Sequence, residues 1–197
     1  MRKKMLILLS VCLLITACSP KMNGEEIETK DISEYEPSEN NETEYAELGK
    51  TAPDITVTTL DGNEKKLSDY FGKPTIIVFW ATWCGYCVGE LPALEMLREK
   101  YGDSINILAL NGGDSVEDIE EFIDENDYTF ETALVSIEDS IKFDAQSIPV
   151  TVILDSDGTI EFFTRGSLEA EEMFNEYFVP TFDEIFEKDG AGNEETA

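Results

Sequence analysis

The chain has 197 residues and 42% apolar content, enough for one ordinary hydrophobic core. It carries 14 basic against 43 acidic residues and no histidine. That balance argues against nucleic acid and against electrostatic docking on anionic lipid. The missing histidine removes triad hydrolases and histidine-dependent metal hydrolases. What remains is the reading of a solubilising acidic surface on an exported protein.

Arg2, Lys3 and Lys4 precede an apolar stretch, 5–17, that is too short to span a membrane comfortably as a mature helix. The stretch ends in Leu14-Ile15-Thr16-Ala17-Cys18. This resembles the lipobox of bacterial lipoproteins, although leucine is commoner than isoleucine at the position of Ile15. The resemblance implies a signal peptide at 1–17, cleaved before a lipidated Cys18. An ordinary secretory signal with an incidental Cys18 and an uncleaved membrane anchor are the competing readings. All three readings put the domain outside the cytoplasm, and the lipobox reading ties it by lipid to the bacterial cell membrane. Residues 18–47, mostly Glu, Asn, Ser and Thr without a period, predict a disordered acidic tether.

A folded domain is predicted over 48–187, with a flexible tail at 188–197. Alternation at 55–60, the turn Asp61-Gly62-Asn63 and the return at 64–67 predict an N-terminal β-hairpin. The apolar run 75–80 predicts a buried central strand, and the helix after it runs to Tyr101. Leu91, Leu94, Met96, Leu97 and Tyr101 form its predicted stripe, and Pro92 is expected to kink it. A strand at 105–110 leads to a helix at 116–125 capped by Ser115, with Val116, Ile119, Phe122 and Ile123 facing inward. A short strand at 132–135 and a short helix at 137–143 follow. A hairpin pairs 147–154 with 159–164. A last helix starts at Ser167, with Leu168, Met173, Phe174, Tyr177 and Phe178 inward. It is expected to break at Pro180, with Phe182, Ile185 and Phe186 on a further turn or two. The order predicts an α/β domain: a mixed central sheet with helices on both faces.

The stretch Trp80-Ala81-Thr82-Trp83-Cys84-Gly85-Tyr86-Cys87 sits where the central strand hands over to a helix N-terminus. There the backbone N–H groups and the helix dipole favour a thiolate over a thiol. Of four cysteines, Cys12 leaves with the signal and Cys18 is capped by lipid, so Cys84 and Cys87 are the free pair. Their spacing closes too small a loop to serve as a structural staple. It is also half a zinc site, but no other cysteine or histidine of the mature domain completes four ligands. Redox chemistry is what remains, with no metal and no cofactor.

These motifs together resemble the thioredoxin superfamily, in particular the membrane-tethered TlpA/ResA-like thiol–disulfide oxidoreductases. The resemblance covers roughly 48–187. It rests on Gly49-Lys50-Thr51-Ala52-Pro53-Asp54, the Phe79 to Cys87 core, Glu90-Leu91-Pro92, Ile148-Pro149 and Leu154-Asp155-Ser156-Asp157-Gly158. It implies a thioredoxin-like fold with Cys84 as the exposed attacking thiolate and Cys87 as the buried resolving thiol. Pro149 becomes the cis-proline opposite the disulfide, and Ile148 offers backbone hydrogen bonds to a bound peptide. Glu90 becomes a partly buried acid that shuttles the Cys87 proton, against the alternative of a solvated helix glutamate. The implied partners are protein thiol and disulfide substrates, apocytochrome c haem-site cysteines among them, and a CcdA-like membrane thiol-transfer reductant.

The chain departs from the pattern in three places. Val78 occupies the position of the buried acid of thioredoxin itself. Gly85-Tyr86 replaces the commoner Gly-Pro or Glu-Pro dipeptide, which alters the redox potential and leaves isomerase or oxidase activity open. Ser147 stands where glycine is frequent. Trp80 reads as structural, whereas Trp83 and Tyr86 read as an apolar landing surface for substrate. The predicted function is protein disulfide reduction, in cytochrome c maturation or exported-protein thiol homeostasis. A thiol peroxidase fits poorly, because its motif needs proline and threonine or serine where the chain has Ile77 and Ala81. A non-catalytic surface-binding lipoprotein is the alternative from another class.

Overall fold

The computed structural model describes residues 45–194. The signal peptide, Cys18 and nearly all of the predicted tether lie outside the described residues. The strands are β1 (Thr56–Thr59), β2 (Glu64–Lys66), β3 (Thr75–Trp80), β4 (Asn106–Asn111), β5 (Glu131–Val135), β6 (Val150–Leu154) and β7 (Ile160–Arg165). They form one mixed seven-stranded sheet in the order β2-β1-β5-β4-β3-β6-β7. β3, β4 and β5 run parallel, whereas the pairings β3·β6 and β6·β7 on one side and β5·β1 and β1·β2 on the other are antiparallel.

All six residues of β3 are buried, because both faces of the sheet are covered. One face packs on α1 (Gly85–Tyr101), α2 (Val116–Glu125) and the C-terminal helical run, through Leu91, Leu94, Leu97, Ile119, Phe178 and Phe182. The other packs on the 3₁₀ turn Leu67–Tyr70, α3 (Ile137–Lys142) and the Phe143 that ends it. Ser115 and Ser136 cap α2 and α3, their hydroxyls accepting the N–H of Asp118 (3.2 Å) and Asp139 (3.0 Å). The α/β class, the mixed sheet and the N-terminal hairpin follow the sequence prediction.

Several local expectations are corrected. α1 continues through Pro92, which is exposed, and on its predicted stripe Met96 is only half-buried while Ala93 and Glu90 face inward. The C-terminal run does not break at Pro180. It comprises α4 (Ala170–Glu172), a π-helical turn Met173–Phe178 and α5 (Val179–Glu194). The Val179 N–H donates to the Phe174 carbonyl, five residues back, so the turn is widened just before Pro180. A widened turn relieves the clash that a proline ring makes with the preceding carbonyls, although Pro180 itself has no N–H to donate. The helix starts at Ala170 rather than Ser167, and it extends through Glu194, past the predicted start of a flexible tail at 188. Leu168 and Tyr177 are exposed, and the inner positions are Met173, Phe178, Phe182 and Ile185.

Gly49 to Ala52 run along β7 as an added edge segment. The Gly49 N–H donates to the Ile160 carbonyl (2.8 Å) and the Ala52 N–H to the Gly158 carbonyl (2.9 Å). Gly158 has φ +85° and lies under the Phe71 ring, where a Cβ would fall 2.3 Å from Cζ. Gly62 has φ +87° with open space around it. The pair separates backbone strain from overpacking. Gly62→Ala is expected to cost about 1 kcal/mol through backbone strain alone, and Gly158→Ala about 2 kcal/mol or more. Urea unfolding midpoints check this. Adding Phe71→Ala should remove the steric excess at Gly158 but leave the strain.

Candidate functional site

The register of the sheet collects the site at one edge. Trp80 closes β3 opposite Asn111, the last residue of the parallel β4. β6 is antiparallel to β3, and Phe79 pairs with Val150, so Ile148 and Pro149 arrive beside Ala81 and Trp80. Val150 also pairs with Arg165, which brings Gly166 and Ser167 to the same edge. Four separate segments of chain therefore converge where α1 begins.

Cys84 is the N-cap of α1, with extended backbone (φ −88°, ψ 97°). Its sulfur accepts the Cys87 N–H at 3.3 Å, the role usually taken by a serine or aspartate oxygen. α1 has no acidic residue in its first turn, whereas α2 and α3 each carry two there. In so acidic a chain, that spacing leaves the positive end of the α1 dipole for the sulfur. Cys84 and Cys87 are joined as a disulfide with Cα atoms 5.2 Å apart. Cys87 is fully buried. Cys84 retains 8% exposure, which corrects the expectation of an exposed thiolate. The Ile148–Pro149 peptide bond is cis, and the Ile148 carbonyl oxygen lies 3.8 Å from Cys84 Sγ. That contact, with the helix turn beneath it, covers the sulfur; a thiol at Cys84 can donate to the same oxygen.

Glu90 lies one helical turn after Cys87 on the same face of α1 and is fully buried. It is not a solvated helix glutamate. The Thr151 hydroxyl donates to Oε1 at 2.5 Å, while Oε2 has no hydrogen-bond partner among the described residues. Ser167, close by, gives its hydroxyl to the Leu168 carbonyl instead (2.9 Å). Burial raises the Glu90 carboxyl above the ordinary range, and the hydrogen bond from the Thr151 hydroxyl offsets this only in part. A raised carboxyl is better matched than an ordinary one to exchanging a proton with a thiol.

Trp83 and Tyr86 are 73% and 77% exposed and flank the disulfide on the surface, while Trp80 is buried against Phe122 (ring centroids 5.2 Å). Three functional residues were not anticipated from sequence. Thr151 is a buried hydroxyl in an otherwise apolar strand, and that break in composition is its signal. Asn111 and Asp114 flank a Gly-Gly pair at the carboxyl end of a parallel strand, a place where α/β sheets commonly build sites. The Asp114 carboxylate accepts the Thr82 N–H (2.7 Å) and the Asn111 side-chain N–H (2.8 Å). Asn111 Oδ1 accepts the N–H groups of Gly113 and Asp114, both at 3.0 Å. This pins the loop two residues before Cys84.

Fold and site together define a thiol–disulfide oxidoreductase of the thioredoxin class. The chain belongs to the AhpC/TSA family, which matches it over residues 48–163. It is 34% identical over 128 residues to thioredoxin-like protein YneN of Bacillus subtilis, covering 64% of this chain and 75% of that one. It is 32% identical over 129 residues to thiol-disulfide oxidoreductase ResA of Geobacillus kaustophilus, covering 64% and 74%. A Chlorobium tepidum protein assigned as thiol:disulfide interchange protein DsbE shares the fold, with a TM-score of 0.62 at 22% identity, over 71% of this chain and 98% of that one.

The buried carboxyl makes stability depend on pH. Below about 4.5, the ordinary value, Glu90 is protonated folded or unfolded and contributes no slope. Above it the unfolded chain releases the proton first, so stability falls as pH rises towards the raised folded value, by about 1.4 kcal/mol per pH unit at most. Urea unfolding of oxidised Glu90→Gln should therefore gain on the parent between pH 4.5 and 8. Parallel curves would show that burial does not raise the Glu90 carboxyl.

Proposed function

We propose that the chain is an extracytoplasmic protein disulfide reductase, tethered to the bacterial membrane through a lipidated Cys18. The observation that carries the reading is Cys84 capping α1 with Cys87 fully buried behind it. In the reduced protein, the Cys84 thiolate attacks one sulfur of a substrate disulfide. A Cys84–substrate bond forms as the substrate S–S bond breaks, and the other substrate sulfur leaves as a thiolate that takes a proton from solvent. Cys87 then gives its proton to the Glu90 carboxylate and attacks Cys84 Sγ. The second substrate thiolate departs, and the protein is left as the Cys84–Cys87 disulfide.

Two electrons must return to that disulfide, and a membrane thiol-transfer protein of the CcdA type is the proposed source. Substrates on this reading are exported proteins with oxidised cysteines, including apocytochrome c at its haem-binding thiols. The names of the relatives support thiol–disulfide exchange, and the lipobox-like Leu14 to Cys18 supports the tether.

Cys87→Ala blocks the resolving step, so it should accumulate adducts in cells that dithiothreitol releases and that Cys84→Ser abolishes. An empty trap would overturn the reading. A strongly negative potential with a mostly reduced pair in vivo fits a reductase, whereas a mildly negative, oxidised pair would make it an oxidase or isomerase. Cys18→Ala should move the protein out of the membrane fraction, and unchanged fractionation would remove the lipid anchor.

A further inference from the structure

The turn that leads into Cys84 is held from outside its own segment. It spans Ala81 to Cys84 and closes with one bond of its own, from the Cys84 N–H to the Ala81 carbonyl (3.1 Å). The Thr82 N–H donates instead to Asp114 Oδ2 at 2.7 Å. The same oxygen accepts the Asn111 side-chain N–H at 2.8 Å. Asn111 is fully buried at the end of β4, in register with Trp80 on one side and Leu134 on the other. Its Oδ1 takes the N–H groups of Gly113 and Asp114, so the half-buried Asp114 is itself fixed. A connection of hydrogen bonds therefore runs from the central sheet through Asn111 and Asp114 to the backbone two residues before the nucleophile.

We propose that Asp114 is a positioning residue for exchange at Cys84, its carboxylate holding the Ala81–Cys84 turn so that the sulfur stays on the cap of α1 once the disulfide is open. The inference rests on the exchange chemistry of the disulfide reductase reading and adds the group that keeps the nucleophile in place. In the oxidised protein, the bond to the fully buried Cys87 holds the Cys84 sulfur without help. Reduction removes that tie. The sulfur is then kept on the helix end by the turn and by the Cys87 N–H. A turn with a single internal bond is free to open, and opening it costs a thiolate the N–H groups that stabilise it. A backbone N–H held by a carboxylate is among the stronger hydrogen bonds and removes that freedom. The contact therefore matters more to the dithiol than to the disulfide. An interaction stronger in one of two states shifts the balance towards that state by the difference. A carboxylate acting through its charge alone does the opposite, because it repels the thiolate and favours the disulfide.

Equilibration with glutathione reads this balance. Two glutathione thiols open Cys84–Cys87 to the two protein thiols and leave as one glutathione disulfide. Asp114→Ala deletes the contact, whereas Asp114→Asn keeps an oxygen able to accept both N–H groups and loses only the charge. In Asp114→Ala the equilibrium should move about threefold or more towards the protein disulfide, the scale of one hydrogen bond. Asp114→Asn should return to within about twofold of the wild type. A merely structural contact stabilises both redox forms alike, so its loss lowers the urea midpoints of both and leaves the equilibrium unmoved.

An unmoved equilibrium in Asp114→Ala would therefore overturn the proposal. So would a shift of either variant towards the dithiol, or a shift in Asp114→Ala that Asp114→Asn shares in full. Should Asp114→Ala fail to fold, hydrogen exchange at the Thr82 amide of the reduced wild type decides. That amide should stay protected, and exchange at the rate of an exposed amide would overturn the proposal as well. The Cys87→Ala trap tests the reductase reading by a separate measurement, so failure of one is distinguishable from failure of the other.

Discussion

A sulfur atom serves as the cap of a helix, and the site depends on that substitution. The Cys84 sulfur takes the Cys87 N–H where an oxygen would normally sit. An oxygen cap only completes the helix. A sulfur cap couples helix formation to the ionisation of a nucleophile, because the same N–H groups that need an acceptor stabilise the thiolate. The acceptor demand is not shared with a carboxylate, since α1 lacks acidic residues in its first turn. The surrounding chain has acids in abundance, so this absence has electrostatic weight.

One helical turn separates two opposite environments. At the start of α1, N–H groups and dipole favour negative charge. At Glu90, burial with a single hydroxyl donor disfavours it. Cys87 lies between the two, buried and on the Glu90 side of the helix. A thiol in that position has little access to water as a proton acceptor, so a carboxyl whose affinity for a proton is raised is a suitable local partner. The division of labour between the two cysteines follows from the direction of one helix and the depth of one turn.

The regular elements were legible because their patterns are local. The run 76–80 is apolar at every position and buried at every position, and Ser115 is placed by its own cap chemistry. Glu90 was legible through the resemblance to the family's Cys-x-x-Cys-x-x-Glu pattern, a spacing that a helix converts into a shared face. Pro180 misled because the compensating feature is the width of the preceding turn, a hydrogen-bond shift with no residue signature. The depth of Cys84 was not legible either, since its cover comes from Ile148, 64 positions away. Asp114 and Thr151 act across strands and become visible only through register.

The sheet edge ties these observations together. A parallel pair, β3 and β4, delivers two carboxyl ends, and the antiparallel β6 delivers an amino end to the same place. Ile148 is therefore fixed by pairing two residues further along, at Phe79 and Val150, rather than by its own contacts. It packs against the cores on both faces of the sheet. Glu90 and Cys87 lie on α1, whereas Asp114 reaches the turn before Cys84 from the end of β4. Placement of the nucleophile and handling of the resolving proton thus fall to two separate carboxyl groups and meet only at the disulfide. A substitution at Asp114 can alter how Cys84 is held without touching the carboxyl that serves Cys87, so the redox balance can shift while the proton route stays the same.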